Sequence, residues 1–348
     1  MTRASQIFLK LLQVSLGNQD RLTEAPSSEV WESLFVEANE QAVIGVCLTG
    51  IERLPQEQRP PQDLLLEWVG AVQVIEAITD FHYKSASKLI SLFGSDGFRT
   101  CILKGIGIAS LYPNSLRRQC GDIDLWVDGK PSQIVDYVQR KYPLAEYDYL
   151  HIEFPWDNGV SVEIHYRCSY LFSKRSNRRL QAWFDARRDQ QFSNVSGNIC
   201  FPNHEFNRVY QLTHILRHFL GTGIGMRHMI DYYYLLKQGT TEAEKANFRC
   251  VVRELGLYDF AAAVMYVEQT ALGLEDSFLL MPKDEKRGEI MMRHIMHDGD
   301  FGNLDDNKFF FSALRSYYAR LVRLFKVAYV CPKEAFSKIL YRKPKYRE

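Results

Sequence analysis

The chain has 348 residues, of which 46% are hydrophobic and 24% charged, and its formal net charge is +1. That composition excludes a disordered or fibrous chain and leaves a globular protein long enough for two domains of about 100–200 residues each. No run of about 18 uninterrupted apolar residues is present, so no membrane-spanning helix is expected.

The first 94 residues predict helices. Ile7, Phe8, Leu11 and Leu12, then Val30, Trp31, Leu34, Phe35 and Ala38, recur at helical spacing, with Ser27-Ser28-Glu29 as a start signal. Met1 to Gly17 lacks a long apolar run and a cleavage site, which predicts no signal peptide. After the break at Arg59-Pro60-Pro61, a long helix is expected from about Asp63 to Phe93, ending at Gly94. A strand from Phe98 to Leu103 follows, and then a glycine turn, Lys104-Gly105-Ile106-Gly107, opens a short helix.

The next strand carries Asp122-Ile123-Asp124-Leu125. Side chains alternate faces along a strand, so Asp122 and Asp124 point the same way with Cα atoms about 6.5 Å apart. Ile123, Leu125 and Val127 supply an apolar face, whereas the two acids would crowd like charges on the other. Two acids so placed suit a shared metal ion. A helix from Gln133 to Lys141 leads to a β-hairpin, His151 to Trp156 and Val160 to Tyr166. A two-residue Asn158-Gly159 loop would pair Phe154 with Glu163, mixing oily and charged side chains. A three-residue loop with Gly159 in the left-handed position instead pairs His151 with His165, Ile152 with Ile164 and Glu153 with Glu163. The second register leaves one apolar face and one polar face carrying His151, Glu153, Glu163 and His165.

From Asn203 the helical period returns, at His204–Leu220, Met226–Lys237, Glu242–Leu255, Tyr258–Leu272 and Lys283–His297. His214 and His218 stand one turn apart, a spacing that suits a metal, although Leu212, Ile215, Leu216 and Phe219 also describe an ordinary amphipathic helix. Arg227 and Asp231 are spaced for an ion pair along one helix. From Arg315 onward ten basic residues stand against Glu334 and Glu348, a net of +8, so the rest of the chain carries −7. Arg315, Arg320, Arg323 and Lys326 alternate with Leu321, Leu324 and Phe325. Two readings stay open for this tail: a solvated helix closing the fold, or a reversible peripheral contact with an anionic membrane. The acidic main body argues against broad nucleic-acid binding. The cysteines (Cys47, Cys101, Cys120, Cys168, Cys200, Cys250 and Cys331) are odd in number and form no CxxC pair, which fits a reducing cytoplasm.

Leu103-Lys104-Gly105, then Ala109, Leu111, Tyr112 and Pro113, then Arg118 and Asp122-Ile123-Asp124-Leu125, then Val162-Glu163-Ile164-His165-Tyr166, together resemble the polymerase-β-type nucleotidyltransferase superfamily. More narrowly, the chain is similar to an uncharacterised bacterial nucleotidyltransferase family often found beside polysaccharide-biosynthesis genes. Trp31, Leu34, Ala38, Val43, Arg227-His228, Asp231 and Gly299-Asp300-Phe301-Gly302 extend the likeness, which spans about Val30 to Gly302. The resemblance implies an α+β fold: a small mixed-sheet core at 95–200, N-terminal helices at 1–94, a C-terminal helical domain at 201–310 and the basic tail at 311–348. It also implies a metal-dependent transfer of a nucleoside monophosphate from an NTP to an unidentified hydroxyl or phosphate acceptor, with Mg²⁺ or Mn²⁺ held by Asp122, Asp124 and, as the third acid, Glu163. Lys104, Gly105, Arg118 and His165 are the expected nucleotide-side residues. Gly105 would let the backbone approach the phosphates at a helix N-terminus, and Lys104 and Arg118 would add positive charge. The superfamily's turn usually reads Gly-Ser or Gly-Gly, whereas Ile106 follows Gly105 here. That departure keeps a second reading open, a weakly active or inactive nucleotidyltransferase-fold binding protein associated with polysaccharide biosynthesis.

Overall fold

Four short strands form the central sheet: β1 (Thr100–Ile102), β2 (Asp122–Val127), β3 (His151–Glu153) and β4 (Ser161–His165), in the order β1-β2-β4-β3. The computed structural model describes residues 2–156, 159–193, 195–196, 199–221, 223–299 and 327–341. β1 runs antiparallel to β2, β2 parallel to β4, and β3 antiparallel to β4, so the sheet is mixed. The helices around it make the fold α+β.

The hairpin adopts the register that alternation demands. His151 faces His165, Ile152 faces Ile164 and Glu153 faces Glu163, while Gly159 holds the left-handed φ of +78°. One sheet face therefore gathers Ile123, Leu125, Val127, Ile152, Val162 and Ile164. It is sealed by Ile134, Val135 and Val138 of α6 (Pro131–Lys141) and by Ala86, Leu89 and Phe93. Those last three lie in α4 (Gln62–Ser95), a helix of 34 residues. It runs past the expected stop at Gly94 because the stop is Gly97: its φ is +85°, and the Phe98 N–H returns to the Phe93 carbonyl. The first strand is shorter than expected, Thr100–Ile102, with the Asp128 N–H bonding the Arg99 carbonyl at its edge.

The opposite face carries the acids toward a larger helical core. That core joins Phe8, Leu11 and Leu12 of α1 (Arg3–Ser15) to Trp31 and Leu34 of α2 (Ser28–Glu40) and Cys47 and Ile51 of α3 (Ile44–Arg53). It continues through α9 (His204–Leu220), α10 (Met226–Leu236), α11 (Glu242–Leu255), α12 (Tyr258–Leu272) and α13 (Glu285–Asp298). The chain also forms the single-turn helices α5 (Ile106–Ala109) and α8 (Arg188–Gln191) and the longer α7 (Lys174–Asp185). A capping box of Thr241 and Glu244 opens α11, and left-handed Gly256 and Gly273 close α11 and α12. The start of α13 is two residues later than expected because the Asp284 side chain caps it.

The stretch Arg315 to Lys326, on which the membrane-contact reading rested, and Asp300-Phe301-Gly302 lie outside the described residues. The later part of the tail is described as α14 (Pro332–Ile339). Val327, Val330, Cys331 and Ala335 are buried in the helical core, and the Glu334 carboxylate accepts the N–H groups of Phe172 and Ser173. No described helix is long and apolar enough to cross a membrane.

Candidate active site

The parallel pairing of β2 and β4 sets Asp124 beside Glu163 and Asp122 beside Ser161. Because Asp122, Asp124 and Glu163 share one face, one carboxylate oxygen from each lies within 4.8 Å of the others. The Asp124 side chain is fully buried, whereas Asp122 and Glu163 keep 32% and 22% exposure. This grouping opens to solvent at one end.

Two cations interleave with the acids. Lys104, just past β1, brings its Nζ within 2.9 Å of Asp122 Oδ2 and 2.9 Å of Asp124 Oδ2. His165, at the end of β4, sets Nε2 at 2.9 Å from Asp124 Oδ1 and 3.0 Å from Glu163 Oε2, with Nδ1 at 3.1 Å from the Arg167 carbonyl. Acceptors at both ring nitrogens select the imidazolium. Burial alone would lower the His165 pKa, but its bonds to Asp124 and Glu163 raise it to about 9. Glu163 shows the converse: burial would raise its pKa, yet the His165 bond and the charges of His165 and Lys104 hold it at about 2. Lys104 is raised above its ordinary value because Asp124, Asp122 and Glu163 outweigh its burial. His151 lies 3.2 Å from Glu163 Oε2, but burial and the neighbouring His165 charge lower its pKa and keep it neutral. Glu153, at the rim, is raised by partial burial and by Glu163 and Asp122.

The turn between β1 and β2 requires its glycine. Gly105 has φ +61° and ψ −118°, and a Cβ there would stand 3.2 Å from the Asp122 carbonyl. Ile106 does not fill the open side of the turn. It is 1% exposed, packed in the sheet core with Ile102 and Ile123, and its carbonyl accepts the Tyr83 hydroxyl at 3.1 Å. The helix it begins is one turn long, and the Gly107 N–H already bonds the Lys104 carbonyl at 3.1 Å.

Arg118 pairs with none of the three acids among the described residues. Its guanidinium grips Asp231 in a fork, Nε to Oδ1 at 2.8 Å and Nη2 to Oδ2 at 2.7 Å, with both residues 4% exposed. Tyr112 adds its hydroxyl to Asp231 Oδ1 at 2.6 Å. Asp231 thus pairs across 113 positions of chain rather than with Arg227, whose guanidinium donates to the Gln119 carbonyl at 3.0 Å. Tyr112 and Asp231 had no local signal as partners of Arg118; only the tertiary fold joins them.

The model of a family described as uncharacterised nucleotidyltransferase matches residues 27–273 of the chain. The chain belongs to that family. The matched span contains all three acids, Lys104, Gly105, Arg118 and His165. No curated protein and no solved structure matches the chain.

The oxygen-only donor set suits a hard divalent ion, which takes a few carboxylates together with water and phosphate oxygens. Asp124 Oδ2 fits that use: it is buried and already pairs with a cation, the Lys104 ammonium at 2.9 Å.

Proposed function

We propose that this protein is a polymerase-β-type nucleotidyltransferase that moves a nucleoside monophosphate from an NTP to a hydroxyl or phosphate acceptor. Asp122, Asp124 and Glu163 would hold Mg²⁺ or Mn²⁺, which neutralises triphosphate charge and activates the acceptor oxygen when bound. The observation that carries the reading is the convergence of these three carboxylates on one sheet face, inside a chain of a nucleotidyltransferase family. His165 is the positioning residue: one imidazolium Nε2–H is shared between Asp124 and Glu163 and fixes both acids. Lys104 has two tasks that follow from one geometry. Without a metal it screens Asp122 from Asp124, and its partial exposure leaves the ammonium a path toward an incoming phosphate.

A second reading, nucleotide binding without turnover, is favoured by the same Lys104 and His165 contacts, because they already balance much of the acid charge. Calorimetry separates the roles. Mn²⁺–NTP is expected to bind the native protein and to lose most of its affinity in Asp122→Asn, with circular dichroism unchanged. Equal affinity in the two proteins would remove Asp122 from the site.

A further inference from the structure

His214 and His218 lie one turn apart on α9, and α10 returns against α9 so that His228 joins them. The return is made by a glycine-rich turn in which Gly223 has φ +119°, while a Cβ at Gly221 would stand 2.7 Å from the Arg217 carbonyl. The three rings pack together: His214 to His218 at 4.5 Å, His214 to His228 at 5.5 Å and His218 to His228 at 5.0 Å between centroids. One nitrogen from each lies within 4.8 Å of the other two. His214 and His228 are each only 6% exposed.

We propose that His214, His218 and His228 form a second metal site, distinct from the acid cluster, that takes a zinc-like transition-metal ion with water or an anion as fourth ligand. Zn–N bonds of about 2.0–2.1 Å place tetrahedral ligand nitrogens about 3.4 Å apart. The imidazoles therefore need to close by no more than about 1.5 Å, within reach of ring rotation on fixed helices. Among the described residues the group offers three donors, the number of protein ligands in zinc sites that take a small molecule as the fourth. An all-imidazole set selects Zn²⁺, Co²⁺ or Ni²⁺, whereas Mg²⁺ prefers oxygen. The two sites thus sort metals by donor chemistry.

The surroundings allow the ion. Burial above all keeps His214 well below the ordinary histidine range, in the neutral form a metal requires. Besides the two neighbouring histidines, which bind a metal in their neutral form, Lys104 and Arg217 oppose a cation there. Lys104 is neutralised by Asp122 and Asp124, and the Arg217 guanidinium lies over the Tyr170 ring, 4.5 Å from its centroid.

The site does not depend on the nucleotidyl-transfer reading, and its test separates the two. The full chain, stripped with a chelator, is titrated with Co²⁺ and followed by the visible spectrum, to which octahedral, oxygen-ligated Co²⁺ at the acids contributes only weak bands. One equivalent with the intense bands of tetrahedral coordination is expected, displaced by Zn²⁺. Absence of that spectrum overturns the proposal and leaves a packed histidine cluster. His218→Ala, at the most exposed of the three, should weaken Co²⁺ binding at least about a hundredfold, since one of three donors carries roughly a third of the binding free energy. Unchanged affinity in His218→Ala also overturns it, whatever the NTP chemistry at the acids.

Discussion

The fork between Arg118 and Asp231 decides whether Arg118 holds the fold or meets phosphate. Arg118→Met removes a guanidinium that is 4% exposed and leaves Asp231, equally buried, with the Tyr112 hydroxyl alone among the described residues. Stranding one member of a buried ion pair costs about 3–5 kcal/mol. Here the two bonds at 2.7 and 2.8 Å place the loss toward the upper end. Neutralising the stranded acid should recover part of it: Asp231→Asn in the Arg118→Met background keeps the shape and can still accept from Tyr112. About 2 kcal/mol or more of recovery is expected, within the span of coupling energies for residues in one network. Urea unfolding of the wild type, both single variants and the double variant gives the cycle. A loss below about 1 kcal/mol in Arg118→Met, or no recovery in the double variant, would refute the structural role. Weakened NTP binding with intact stability would assign Arg118 to the phosphates instead.

Glu268 in α12 is fully buried, and neither carboxylate oxygen has a partner among the described residues; burial raises its pKa well above 4.5. The folded state keeps a proton that the unfolded state releases, so the stability it contributes is complete below about pH 4.5 and falls as pH rises toward the folded value, by up to about 1.4 kcal/mol per pH unit. Glu268→Met should flatten that slope in denaturation curves from pH 5 to 8 and stabilise the protein at pH 8; an unchanged slope would show that Glu268 is not the source. Lys104→Met should destabilise the metal-free protein by about 2–4 kcal/mol, because Asp122 and Asp124 then face each other without their counter-ion. Added Mn²⁺ should raise the melting temperature of Lys104→Met more than that of the wild type, and an equal or smaller rise would mean that the ammonium and the metal do not share the acids.

The parts of the fold that could be read from sequence are those set by local period. The hairpin register followed from alternation about Gly159, and α9, α11 and α12 have the limits that their apolar spacing indicates. α3 escaped notice because Gly45 and Gly50 weaken the helical signal. They are there for contact: a Cβ on Gly45 would stand 2.2 Å from the Arg117 carbonyl, and one on Gly50 2.3 Å from Ser15 Oγ. α7 was hidden by its basic face, Lys174-Arg175 and Arg178-Arg179, which masks Leu180 and Phe184. At the site, the two aspartates declared themselves by spacing on one strand. The lysine bridge between them, the pairing of Arg118 with Asp231 and the addition of His228 to His214 and His218 are products of distant chain segments meeting, and no local pattern carries them. Ile106 shows the same limit from the other side. It stands out in the sequence as a departure from the superfamily's Gly-Ser or Gly-Gly turn, whereas its side chain turns into the sheet core.

Transfer of label from each of four α-labelled NTPs, with Mg²⁺ or Mn²⁺ and a panel of hydroxyl- and phosphate-bearing acceptors, tests the central claim most directly. Metal-dependent transfer from at least one NTP is expected, with release of pyrophosphate, abolished in both Asp122→Asn and Asp124→Asn while the circular dichroism spectra stay those of the wild type. Transfer that survives either substitution, or NTP binding with no label transferred to any acceptor, would contradict it.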